Sequence, residues 1–188
     1  HTLIYDASQA EVLLFGGHQL IQDTLDPDNA CTGAFIPVPA YTISAQCLYN
    51  DVWAYDGNAW TQKDTETLTK PIHRSGHQMT FDLHREVALL FGGSVMATTE
   101  MGVSQCDGED AFVHAGRCTK SDTWEWDGEQ WSQLSPSTAP SERYHHAMVY
   151  DPSRQVTVLF GGKQYCDEES CNDALDDTWE WDGNTQSW

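Results

Sequence analysis

The sequence predicts an all-β chain built from three copies of one four-stranded antiparallel unit, and three observations predict it. The heptapeptide Asp122-Thr123-Trp124-Glu125-Trp126-Asp127-Gly128 recurs unchanged as Asp177-Thr178-Trp179-Glu180-Trp181-Asp182-Gly183, with a looser copy at Asp51-Val52-Trp53-Ala54-Tyr55-Asp56-Gly57. Upstream of each copy a histidine precedes a phenylalanine by 14 positions: His1 and Phe15, His77 and Phe91, His146 and Phe160. Each phenylalanine opens a Phe-Gly-Gly triplet, Gly16-Gly17, Gly92-Gly93 and Gly161-Gly162 completing the three. Self-similarity at a fixed spacing is the mark of a repeat architecture.

Each unit yields its strands in the same order. His77-x-Met79-x-Phe81 alternates as a strand with one larger-residue face does. Asp82-Leu83-His84-Arg85 and Asp151-Pro152-Ser153-Arg154 carry turn chemistry, the Asp bonding local backbone and Pro152 fixing φ. Val156 to Phe160 reads as a second strand buried on both faces, ended by its glycine pair. The heptapeptide supplies a third strand, in which Trp124 and Trp126, Trp179 and Trp181, and Trp53 and Tyr55 share a face. Its Asp-Gly marks a hairpin, and Trp60, Trp131 and Trp188 mark a fourth strand. Since 53 to 60 and 124 to 131 span 7 positions and 179 to 188 spans 9, the turn before Trp188 carries two extra residues or the strand there is irregular. All 8 tryptophans thus fall at repeated positions, which makes them core aromatics, stacked between successive sheets.

Four short antiparallel strands, repeated, form the blade of a β-propeller. The ordered set His-x-[Met/Leu]-x-[Tyr/Phe]-Asp, Phe-Gly-Gly and Asp-Thr-Trp-x-Trp-Asp-Gly followed by Trp resembles the kelch repeat. Arg74-Ser75-Gly76-His77 is similar to that family's usual lead-in, and Arg143-Tyr144-His145-His146 is a looser version. The resemblance implies three kelch blades, at 1–64, 65–134 and 135–188. It also implies a ring of about six or seven blades, so further blades are expected, from a longer chain or a second subunit. Open sheet edges invite such pairing.

The formal charge of −20 speaks against nucleic acid and anionic membrane as partners. No apolar run is long enough to span a bilayer. The segments joining second and third strands, 18–50, 94–121 and 163–176, are the long ones, and long loops carry function. All 6 cysteines lie in them, two per loop. The simplest pairing is local: Cys31–Cys47, Cys106–Cys118 and Cys166–Cys171. Zinc is the competing reading, and only Cys166-x4-Cys171 approaches its ligand spacing. Disulfides imply secretion, the periplasm or a cell surface.

No catalytic constellation is legible. His1, His77 and His146 recur at one repeat position and read as structural strand residues, and His145 and His146 would point to opposite faces of a strand. No cofactor is expected, with calcium the one open possibility, at the acidic clusters Asp23, Asp26 and Asp28 and Asp107, Glu109 and Asp110. The expected function is non-catalytic: an extracellular binding or scaffold module whose braced loops meet a protein partner. Phe35, Tyr41, Tyr49, Phe112 and Tyr165, with Met96 and Met101, are the candidate contacts, because aromatics dominate such interfaces. The alternatives are a secreted enzyme resembling galactose oxidase and a carbohydrate-binding propeller.

Overall fold

The structure, a computed structural model, describes residues 1–21, 34–37, 45–64, 69–97, 106, 116–165 and 174–188. Every regular element in them is a strand. The first sheet comprises β1 (Thr2–Asp6), β2 (Glu11–Ile21), β3 (Ala34–Pro37), β4 (Ala45–Tyr55) and β5 (Trp60–Gln62). The second comprises β6 (Gln78–Asp82), β7 (Val87–Met96), β8 (Arg117–Trp126) and β9 (Trp131–Leu134). The third comprises β10 (Ala147–Asp151), β11 (Val156–Lys163) and β12 (Ala174–Trp181). All pairings are antiparallel, running β1-β2-β4-β5, β6-β7-β8-β9 and β10-β11-β12. The three sheets are blades of one propeller-type segment.

Two expectations change in detail. The third blade stops at three strands: after Asp182 only an isolated bridge to Ser187 forms. The turn that precedes Ser187 is longer than in the other blades and holds Gln186 at φ 51°. The Gly-Gly pairs do not end their strands either. Pairing resumes beyond them with a shifted register, between Phe15 and Gly17, Phe91 and Gly93, and Phe160 and Gly162, as a β-bulge does. Part of each expected loop is therefore strand extension, and β3 pairs with β4 inside the 18–50 segment.

Turn chemistry repeats faithfully. Asp6, Asp82 and Asp151 each accept backbone N–H bonds from residues two and three positions on, and Asp56, Asp127 and Asp182 do the same at the Asp-Gly turns. Neighbouring blades touch through β1, β6 and β10. These are the first strands, so the blades converge there. Strand alternation then puts the β2–β4, β7–β8 and β11–β12 connections on the same face as the inter-blade segments.

The joint between blades is built from one phenylalanine. Phe15, fully buried, meets His77 edge-on at 5.2 Å and Trp131 at 5.0 Å. Phe91, equally buried, meets His146 at 5.6 Å and Trp188 at 5.0 Å. The aromatics that bridge successive sheets are thus phenylalanine on histidine and tryptophan, instead of tryptophan on tryptophan. Trp126–Trp131 and Trp181–Trp188 pack within their own blades. A glycine is required beneath each joint: a Cβ on Gly92 (φ 62°) would lie 2.7 Å from the Arg143 carbonyl oxygen. His77 and His146 sit one residue ahead of their strands. Burial, reinforced by Arg74, the N-terminal amine and His146, keeps His77 well below the usual imidazole range. Burial, with Arg143 and His145, pushes His146 down to about 3. Both are neutral spacers. His145 is exposed while His146 is buried, but both precede β10, so it is the left-handed backbone at His145 (φ 55°) and not strand alternation that separates them.

Candidate binding face

On the face that carries the long connections, β7 and β8 extend past the bulge as a hairpin, pairing Val95 with Cys118 and Met96 with Arg117. Cys118 is 1% exposed and forms a disulfide with Cys106, clamping the base of that excursion. Cys47 occupies the corresponding place on β4, fully buried and disulfide-bonded, with its partner outside the described residues. Cys31, Cys166 and Cys171 lie outside them, as do Asp23, Asp26, Asp28, Asp107, Glu109 and Asp110.

Beside the disulfide lies a cluster shared by two blades. Arg117 donates through Nε to Ser94 Oγ (2.9 Å) and through Nη2 to Ser75 Oγ (2.7 Å). Ser94 Oγ also bonds the hydroxyl of Tyr165 at 3.0 Å. Tyr165, from the third blade, stacks on Tyr144 at 4.7 Å, and Tyr144 meets His145 at 4.8 Å. His145 holds φ 55°, a sparsely populated conformation for a residue with a side chain. Its N–H donates to the Gly76 carbonyl at 2.7 Å. A Cβ on Gly76 would strike the His145 ring at 2.9 Å, so the glycine makes room for it. Local backbone strain of this kind gathers at functional positions.

In a chain of charge −20, the Arg117 guanidinium lies in this cluster, and His18 of the first blade is close enough to respond to it. Burial lowers His18, and Arg117, the N-terminal amine and His145 lower it further. Burial also lowers Arg117, against the opposing influence of Tyr165 and Tyr144. The imidazole of His18 is therefore neutral at pH 7. The cluster offers a guanidinium, two phenols and two imidazoles around stacked rings, a surface suited to polar and anionic contacts with an aromatic floor.

The sequence-derived contact residues are only partly gathered here. Tyr165 is in the cluster, and Met96, half-buried, ends β7 beside it. Tyr49 lies in the first blade, its hydroxyl donating to Gln19 Oε1 at 2.9 Å. Phe35 is placed in β3, in register with Cys47. Tyr41, Met101 and Phe112 lie outside the described residues. Reading the sequence missed Arg117, Tyr144 and Ser94, which carry no repeat signal. Tyr144 was legible only as a departure from the small residue that follows Arg74.

A solved structure of YjhT, a β-propeller-type protein, is similar to this chain at a TM-score of 0.54 and 12% identity. The match covers 94% of this chain and 40% of that one. The fold is a β-propeller segment. At this identity the likeness carries the fold alone. No family model matches the sequence.

Proposed function

We propose that this chain is a non-catalytic extracellular binding or scaffold module of kelch type that meets a protein partner through its connection-bearing face. The observation that carries the reading is the two-blade cluster of Tyr144, Tyr165, His145 and Arg117 beside the Cys106–Cys118 brace. Stacked tyrosines on a rigid scaffold give contact area at small entropic cost. The disulfide is compatible with an oxidising compartment. In a deeply acidic chain the Arg117 guanidinium beside these rings adds charge complementarity for a partner.

The test is quantitative capture from secreted or periplasmic extracts with the wild-type chain and the double variant Tyr144→Ala, Tyr165→Ala. A partner protein retained by the wild type and lost by the variant supports the reading. A glycan-array signal with no protein recovered moves the function to carbohydrate binding. Stoichiometric copper in the purified protein, with oxidation of a primary alcohol, moves it to the enzyme class.

A further inference from the structure

The two joints are alike on the connection-bearing face and unlike on the opposite one. On the first face each is held by an arginine clamp. Arg74, fully buried, donates through Nη1 to the Gly92 carbonyl at 2.9 Å. Its Nη1 and Nη2 also reach the two oxygens of Asp122 at 2.7 and 2.8 Å, and its main chain bonds Tyr49 and Gly17 of the preceding blade. Arg143 repeats this on the Gly161 carbonyl (3.0 Å) and Asp177 (2.6 and 2.8 Å), with its main chain on Lys120 and Gly93.

On the opposite face the first turn of one blade lies against the Asp-Gly turn of the next. At the second joint Arg85 fills that space. It pairs with both carboxylate oxygens of Glu125 on its own blade. Those hydrogen bonds, and then the carboxylates of Asp82 and Asp182, hold the guanidinium in its charged form. Gly183 of the third blade lies over it: a Cβ there would stand 2.8 Å from Arg85 Cδ and 3.1 Å from Cζ. At the first joint the corresponding residue is Gln9, three after Asp6 as Arg85 is three after Asp82, and Ala54 stands where Glu125 does. Nothing lies within 4 Å of a Cβ on Gly128, the counterpart of Gly183. What remains is a cleft of about 400 Å³, lined by Gln9, Glu11 and Lys63 of the first blade and Asp127, Gly128 and Glu129 of the second.

Charge in this cleft is unbalanced. Three carboxylates, Glu11, Asp127 and Glu129, line it with one ammonium, and Lys63 already bonds Glu11 Oε2 at 3.0 Å. Asp127 Oδ1 accepts the backbone N–H groups of Glu129 and Gln130, and only the Gln130 amide approaches Oδ2, at 3.5 Å. Among the described residues no cation pairs with Asp127 or Glu129. No three of the described acidic groups lie close enough together to hold a metal ion, which leaves an extended organic cation. We propose that the cleft binds a guanidinium group from outside the chain, seated between the two blades as Arg85 is seated at the second joint. A planar fork meets two carboxylates at once and lies flat against a glycine turn, which a compact ammonium does less well. A chain of charge −20 concentrates such cations near its surface. The site stands on the face opposite the Tyr144–Tyr165 cluster and does not depend on the reading given for that cluster.

The test titrates the 188-residue chain with methylguanidine, with a capped Ala-Arg-Ala tripeptide, and with that peptide's lysine and citrulline analogues, followed by amide NMR. Shifts are expected around Gln9 and Asp127 to Glu129, with the arginine peptide about tenfold tighter than its neutral citrulline analogue. Binding of methylguanidine as tight as the tripeptide's supports a small free compound as the natural source, and tighter binding of the tripeptide supports an arginine on a polypeptide. Asp127→Asn with Glu129→Gln keeps a side-chain oxygen for the turn and should weaken arginine binding about tenfold. Gln9→Arg supplies a tethered guanidinium as Arg85 does; it should block the added one and raise Tm by about 2 °C or more. Citrulline or lysine binding as tightly as arginine, or an affinity that survives Gln9→Arg unchanged, overturns the proposal.

Discussion

Strands β7 and β11 carry nearly the same residues but live in different surroundings. In β7 everything from Ala88 to Val95 is buried, because a blade lies on each side. In β11, Thr157 and Leu159 are buried against the second blade while Phe160 is 53% exposed. Phe91, its counterpart, is fully buried against His146 and Trp188. The expectation of a strand buried on both faces over Val156 to Phe160 is thus not met in β11 and holds only for its counterpart β7. The first blade mirrors the third: Leu3, Tyr5 and Trp60 are 52%, 59% and 46% exposed, where Met79, Phe81 and Trp131 are buried. Burial in this molecule is set by blade position more than by residue type. Apolar residues encode a joint whether or not its other half is present.

That comparison can be broken at its strongest point first. Arg74→Gln leaves the nearly buried Asp122 uncompensated and should cost about 3–5 kcal/mol in chemical denaturation. Arg143→Gln should cost less, because the Asp177 side chain is 38% exposed and water can replace part of the pair. Equal losses would mean that position in the blade series does not matter.

Phe91→Ala should cost about 3–5 kcal/mol through the lost burial and the cavity it leaves, whereas Phe160→Ala stays within about 1 kcal/mol. Denaturant midpoints at constant m report the difference. Reduction of Cys106–Cys118, 12 residues apart, should cost about 2–3 kcal/mol. It should raise hydrogen exchange in the β7–β8 extension ahead of the joints.

The same joint also responds to pH. His146, neutral and held at about 3, has a folded-state pKa below its unfolded value. Its contribution is complete above about pH 6.5 and is lost as pH falls toward about 3. Asp177, held at about 2 chiefly by its hydrogen bonds to Arg143, adds a second loss as pH falls below its ordinary 3.8 toward about 2. Tm should therefore decline in two stages on acidification, and Arg143→Gln should remove much of the lower one. A Tm that rises on acidification through this range would contradict the assignment of His146 as a neutral spacer.

Much of this fold is legible in the sequence because its signals are periodic. The 14-residue spacing from histidine to phenylalanine is the β1–β2, β6–β7 and β10–β11 register itself, since Thr2 pairs with Phe15, Gln78 with Phe91 and Ala147 with Phe160. The arginine clamp was half-visible: Arg74 and Arg143 stood out as lead-ins, and Asp122 and Asp177 as heptapeptide starts. What joined them, 48 and 34 residues apart, was tertiary geometry with no local signature. The two-blade cluster was harder still. Tyr165 was legible as an aromatic in a long connection, but Arg117, Ser94 and Tyr144 carry no repeat signal, and a reading that follows repetition passes over what is not repeated.

The joint also has a handedness of use. One side gives a phenylalanine and a glycine bulge, and the other gives an arginine, a histidine and a tryptophan, so the two sides are never alike. Such a contact is heterologous: like surfaces do not mate, and units add in one rotational sense only. A chain built this way has a leading and a trailing side, much as a zipper does, with each blade facing its predecessor and its successor through different groups.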